Sequence, residues 1–255
     1  MKELKTILIL KINKRFLLSS LFLLVFCLHN LQTFAQGKSK NNKVMNLENY
    51  DKRVIHFGFL LGVNLADFRI KYNPNYFGVD TVLTIESKRE SGFNLGIISD
   101  LRLGEYFNMR FVPTLSFSAR TLQYVILENN VLVPRDKQVE SVFLDFPLLF
   151  KYKSARDGNF RAYLIGGAKY SLDMASQKDV NNNFLVNDIL VKIDETDFLA
   201  VFGIGFDFYL TYFKFSPEIT YSFGLKNLLI QENNILTKPI DRLTSKIIQI
   251  SFNFE

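Results

Sequence analysis

From residue 55 onward, large apolar side chains recur at every second position. That period of two matches a strand, whose successive side chains point to opposite faces, and not a helix with its period of 3.6. Eight segments carry it, at about 55–72, 91–103, 106–122, 139–153, 160–172, 197–209, 213–225 and 241–254. In the first, Phe57, Phe59, Leu61, Val63 and Leu65 share one face, with His56, Gly58, Gly62 and Asn64 on the other. The sixth sets Phe198, Phe202, Ile204, Phe206 and Phe208 against Gly203, Gly205 and Asp207. The eighth sets Ile248, Ile250, Phe252 and Phe254 against Gln249, Ser251 and Asn253.

Each strand thus has one Phe-rich face and one face of Asn, Ser, Gly and charges of both signs. The chain holds 26 Phe and 11 Tyr. An eight-stranded barrel is just wide enough inside for side chains or one small ligand, so its interior cannot hold that many rings. Turned outward into lipid, the same rings meet hydrocarbon and the polar face fills the lumen. Backbone groups in hydrocarbon must all be paired, which leaves a strand protein no choice but to close its sheet. The expected fold is therefore all-β, an eight-stranded antiparallel up-and-down transmembrane β-barrel.

The connections support this. The odd-to-even links run to about 18, 16, 24 and 15 residues and the even-to-odd links to about 2, 6 and 3, the long-loop and short-turn rims of outer-membrane barrels. An even strand number puts both termini at the short-turn rim, expected to be periplasmic. Pro113, Pro147 and Pro217 fall inside expected strands and mark possible bulges, since proline lacks a ladder donor. Residues 36–54 are polar and aperiodic and read as a flexible periplasmic lead-in to a barrel over 55–255.

The N-terminus is an address. Lys2, Lys5, Lys11, Lys14 and Arg15 precede an uncharged apolar run from Phe16 to Leu28, and Thr33-Phe34-Ala35 offers a small-x-small cleavage site. This is the order of a secretory signal peptide, residues 1–35, too short in its apolar part to span a bilayer. Its removal takes five basic residues and one acidic residue, lowering the formal charge from +6 to +2. The basic balance belongs to the signal and gives no reason to expect nucleic acid as a partner. Cys27 lies in the same apolar run, so the mature chain has no cysteine for disulfides or thiolate zinc.

The polar faces carry Asp100, Arg102, Arg110, Arg120, Asp145, Lys151, Arg161, Lys169, Asp207, Lys214 and Glu218, expected to form a charge network across the lumen. The chemistry of an enzyme is thin. His56 is the one histidine after the signal, with neither a serine nor an acid near it in sequence, so no catalytic residue is assigned. No histidine pair or acidic loop has metal-ligand spacing, and Gly203 and Gly205 lie mid-strand with no helix after them to bind phosphate. No cofactor or metal is expected. Asp67-Phe68-Arg69 and the loops 73–90 and 173–196 are candidate partner surfaces. The partners expected from a barrel of this kind are outer-membrane lipid and, through the aromatic end IIQISFNFE, the barrel-assembly machinery, although Glu255 departs from a terminal Phe.

Four stretches carry a family likeness: NLENYDKRVIHFGFLLGVNLADF (46–68), FLDFPLLFKYKS (143–154), RAYLIGGAKYSLD (161–173) and DFYLTYFKFSPEITYSFGLKN (207–227). Together they resemble the PorT/SprT family of Bacteroidetes, small outer-membrane barrels of type IX secretion and gliding motility. The second and third stretches are shared with a broader class of barrels, whereas the first and last are more specific. The resemblance implies a non-enzymatic role in exporting proteins that carry a C-terminal secretion signal, with other type IX components as partners. Composition and spacing imply only a barrel, which leaves open a structural or adhesive barrel, or a small-solute pore.

Overall fold

Alternation of Phe with Ser, Asn and Gly yields strands that pair into one closed sheet. In the computed structural model, residues 44–74, 76, 82–128, 131–175, 191–232 and 235–255 are described. The signal segment 1–35 and the lead-in up to residue 43 lie outside them. The strands are β1 (Ile55–Tyr72), β2 (Val82–Arg102), β3 (Phe107–Phe111), β4 (Thr114–Glu128), β5 (Val131–Lys153), β6 (Phe160–Asp173), β7 (Thr196–Tyr209), β8 (Lys214–Gly224) and β9 (Ile240–Phe254). All pairings are antiparallel, and β1 pairs with both β2 and β9, which closes the barrel.

Nine named strands make eight walls. Both β3 and β4 pair with β2 on one side and β5 on the other, so they are halves of one wall interrupted at Val112-Pro113. Proline at this break supplies no N–H to the ladder. Pro147 and Pro217, by contrast, sit in uninterrupted β5 and β8.

Two expected boundaries change. The second strand begins at Val82 rather than near 91, and the wall of β5 begins at Val131 rather than near 139. Most of the expected loops 73–90 and 123–138 is therefore ladder. Glu128 pairs with Val131, making a long β4–β5 hairpin, and β2 joins it from Val82 to Arg89. The period was hard to read there because the faces exchange character. Along β1 the outward residues are Phe57, Phe59, Leu61, Val63 and Leu65, then Asp67, Arg69 and Lys71. Along β4 the inward residues run Thr114, Ser116, Ser118 and Arg120, then Leu122, Tyr124 and Ile126. Up to that level the wall is apolar outside and polar inside; beyond it the order inverts, as a chain leaving lipid for water requires.

The inverted part encloses its own apolar core. Phe68, Ile85, Leu122, Tyr124, Ile126, Leu236, Ile240 and Leu243 are buried together over the lumen, with Val191, Ile193, Leu228 and Leu229 from the connecting segments. At the other end the β2–β3, β5–β6 and β7–β8 connections are short. Rings girdle the outer wall there, with Phe59 stacked on Phe254 at 4.8 Å and Phe107 beside Tyr152 at 5.0 Å.

Phe202, at the middle of β7 on the outer wall, faces the hydrocarbon midplane. Phe202→Arg is expected to lower stability by about 2–4 kcal/mol in denaturant unfolding from lipid vesicles, whereas Leu83→Arg, beyond the belt, costs about 0–1 kcal/mol.

Candidate functional site

The lumen is the site the sequence nominates, and the folded chain fills it in layers. The first lies at the rim with the short turns and uses residues outside the barrel strands. Residues 45–54 turn under the barrel through a short 3-10 helix at Tyr50–Lys52. This corrects the expectation of a flexible lead-in for these residues, because polar contacts to the barrel replace the missing hydrophobic pattern. The Asn46 side chain donates to the Tyr209 carbonyl at 3.0 Å, and its backbone N–H donates to Asn159 at 2.8 Å. Arg161 grips Asp51 with two guanidinium nitrogens, at 2.9 and 3.2 Å, and Arg156 adds a third contact at 3.3 Å. Arg156 also lies 3.6 Å over the Tyr209 ring, and Tyr209 donates to Asp51 at 3.1 Å.

Burial pushes the Asp51 carboxyl up, but the Arg161 charge and the bonds from Arg156, Arg161 and Tyr209 hold it below the usual carboxylate range. Burial raises the neighbouring Tyr50 hydroxyl well above its ordinary value. His56 is accounted for here. Its ring stacks on Tyr50 at 4.0 Å and its Nε2 donates to the Tyr50 carbonyl at 2.8 Å, a structural arrangement.

The second layer spans the barrel. Arg110, on β3 and fully buried, meets three carboxylates: Asp100 of β2 at 3.1 Å, Glu218 of β8 at 3.2 Å and Glu255, just past β9, at 2.8 Å. In the order of the walls β3 and β8 lie half a circuit apart, so the Arg110–Glu218 pair crosses the lumen. Lys214 pairs with Glu255 at 2.9 Å, and Lys151 of β5 pairs with Asp207 of β7 at 2.9 Å. Tyr163 of β6 donates to Glu218 at 2.7 Å and Ser216 to Asp207 at 2.7 Å. Asn108 donates to Asp100. Gly205 makes this layer possible: a Cβ there would stand 2.3 Å from the Tyr163 ring.

Above lies a small cavity of about 40 Å³ lined by Arg110, Glu218, Asp145, Lys169 and Gln249 among others. It has room for about three waters. The third layer follows. Lys169 pairs with Asp145 at 3.0 Å and Ser171 donates to the same carboxylate at 2.5 Å. Asn64 of β1 and Ser116 of β4 both donate to Asn94 of β2, the strand between them, at 2.6 and 2.7 Å. The fourth holds Arg120 between the rings of Phe68 and Phe143, at 4.9 and 5.1 Å. Its Nε and Nη1 have no hydrogen-bond partner among the described residues.

Of the eleven charges read from the sequence, seven are joined in the second and third layers or across them as ion pairs: Asp100, Arg110, Asp145, Lys151, Lys169, Asp207 and Glu218. Lys214 joins through Glu255, and Arg161 turns to the rim and Asp51. Two stand apart. Arg102 is half-buried at the short-turn rim and donates to the Gly104 carbonyl at 3.2 Å. Arg120 takes ring faces instead of a carboxylate. Sequence reasoning left out of the network Glu255, Asp51, Arg156, Tyr163 and Asp197, the last accepting from Ser245 at 2.5 Å. The last two sit on inward positions of their strands and were open to the same face count; the others lie outside any periodic segment. Among the described residues no group of three or more His, Cys, Asp or Glu is placed to hold a metal ion.

A closed antiparallel barrel with an apolar belt and a salt-bridged lumen defines a transmembrane β-barrel. Residues 34–229 match the family described as outer membrane protein beta-barrel domain, and the chain belongs to that family. Among solved structures it is similar to Neisserial surface protein A, at 11% identity and TM-score 0.39 over 79% of this chain and 98% of that one. It is also similar to the outer membrane protein OprG from Pseudomonas aeruginosa, at 10% identity and TM-score 0.42 over 77% and 92%. No curated protein matches the chain in sequence.

Arg110→Leu leaves three buried carboxylates without their shared cation, which is expected to cost about 3–5 kcal/mol in denaturant unfolding. Asp51 has a lowered folded-state value, so its contribution is complete above its unfolded pKa of about 3.9 and is lost as pH falls through the folded one. Asp51→Asn is therefore expected to unfold at lower denaturant than the parent at pH 7, the gap closing as pH falls below the ordinary carboxylate range and through the lowered folded-state value.

Proposed function

We propose that this barrel is a non-enzymatic accessory of type IX secretion, required for export of proteins with a C-terminal secretion signal and, in gliding species, for motility. The stretches at 46–68 and 207–227 that resemble the PorT/SprT family support the pathway. The filled lumen carries the accessory part of the reading. With Arg110 tied across the axis and an apolar core above it, the described residues leave no evident route for a solute and still less for a polypeptide. Work of this kind falls to the outer surfaces. The β2–β4–β5 arm, 82–89, 120–128 and 131–142, extends beyond the belt, and its end exposes Leu127, Val131 and Leu132. The arm faces the cell exterior in this reading, and both termini face the periplasm. The same arm supports a second reading, a structural or adhesive barrel that meets its partner outside the cell.

Deletion of the gene is expected to trap cargo bearing the C-terminal signal in the periplasm, with a plasmid copy restoring export. Unchanged secretion and gliding leave the structural or adhesive barrel. Because the chain has a single cysteine, Cys27, within the expected signal, single-cysteine variants report orientation cleanly. Asp136→Cys on the arm should react with an impermeant maleimide on whole cells, and Lys52→Cys should not.

A further inference from the structure

The outer wall where β8, β9 and β1 leave the apolar belt has a composition the barrel fold does not need. Reading up this face, Val63 is paired with Ile250 and Leu65 with Ile248, then Asp67 with Lys246, Arg69 with Thr244 and Lys71 with Arg242. The last pair sets two cations directly opposite each other, an arrangement that destabilises a sheet unless an anion lies between them. Asp241 meets Lys71 at 2.7 Å, with both side chains largely in solvent, and Asp67 is engaged by Ser87 at 2.5 Å. Arg242 donates one guanidinium nitrogen to the Leu225 carbonyl at 2.5 Å, and among the described residues the side chains of Arg69 and Lys246 have neither an ion pair nor a hydrogen bond. Arg69, Lys71 and Arg242 border one groove, together with Phe223, Leu225 and Thr244. On the same wall, on the belt side, lies a second and apolar groove between Val63, Leu65, Phe93, Ile248 and Ile250, floored at Gly92. From Leu65 to Arg69 is four strand residues, about 13 Å. That is less than the roughly 15 Å depth of one leaflet's hydrocarbon, so a single lipid can reach both grooves.

We propose that this face binds a phosphorylated lipid of the adjoining leaflet, its phosphate held by Arg69, Lys71 and Arg242 and an acyl chain lying in the groove of Val63, Leu65, Phe93, Ile248 and Ile250. The lipid is the outer-leaflet one if the arm faces outward, so that part rests on the orientation proposed above. The site is independent of the secretion role and of the lumen. Net of Asp241, these three cations leave two positive charges at the membrane surface, which favour an anionic headgroup by an order of magnitude or more, and the apolar groove distinguishes a lipid from free phosphate.

The test uses the full-length mature protein in detergent micelles, offered diphosphoryl lipid A, the same lipid stripped of phosphate, or inorganic phosphate, with retention read by native mass spectrometry. The parent should keep the diphosphoryl lipid at least about tenfold better than the stripped one. Arg69→Gln/Lys71→Gln/Arg242→Gln should lose that preference, and Arg69→Gln alone should lose part of it. Lys88→Gln/Arg89→Gln, a loss of two exposed charges on β2, should keep it. Heat-dependent gel migration verifies that each variant has closed its barrel. Equal retention by the parent and the triple variant overturns the proposal. So does an equal loss in the Lys88/Arg89 control, or displacement of the lipid by an equimolar amount of inorganic phosphate. Failure of Asp136→Cys labelling with charge-dependent retention intact would overturn the orientation and move the bound lipid to the other leaflet.

Discussion

Hydrocarbon offers no partner to a backbone N–H or C=O, and every feature of this molecule follows from meeting that condition with strands. A sheet can do so only by closing on itself, and β1 does this by pairing with β2 on one side and β9 on the other. Closure fixes which face looks inward, and a period of two then fixes the chemistry of the interior. Any polar residue placed opposite the Phe-rich wall is taken out of water and must find a partner inside. The ion pairs of the lumen are thus the consequence of the outer wall, and Arg110 with its three carboxylates is where most of that demand is met.

Such pairs do more for uniqueness than for stability. Desolvating both partners offsets most of their attraction, so a buried pair adds little over an apolar one of the same shape. What the network provides is register. A slip of one residue in any wall would send Phe inward and a charge into lipid, and a slip in the wall of β3 would cost Arg110 its carboxylates on β2 and β8 at once. The cavity beside it and the Asp145–Lys169 pair repeat the arrangement one layer up.

The barrel was legible in the sequence because the belt is. Eight walls, their order and the outward rings come straight from alternation between residues 55 and 254. What alternation could not reveal lies where it stops or changes sign. The arm was hidden because Leu122, Tyr124 and Ile126 face inward while the residues between them face water, the reverse of the pattern a few residues earlier on the same strand. Asp51 and Arg156 were hidden because they lie in aperiodic segments, and contacts such as theirs, over 100 residues apart in sequence, leave no local trace. Arg120 shows the opposite limit. It has the position of a network residue, but its neighbours are the rings of Phe68 and Phe143, and position alone does not choose between a carboxylate and an aromatic face.

Glu255 gives the network an unusual membership. It follows the last strand, while Tyr50, which donates to it at 3.1 Å, precedes the first. The Arg110 cluster is therefore incomplete in any intermediate whose sheet is still open, whatever the number of strands already paired. An unclosed sheet and a closed barrel differ by one ladder of backbone bonds and also by the neutralisation of a buried guanidinium. Insertion of this protein should accordingly be all-or-none at its final step, with the seam between β1 and β9 sealed from within by charge as well as along its length by the backbone.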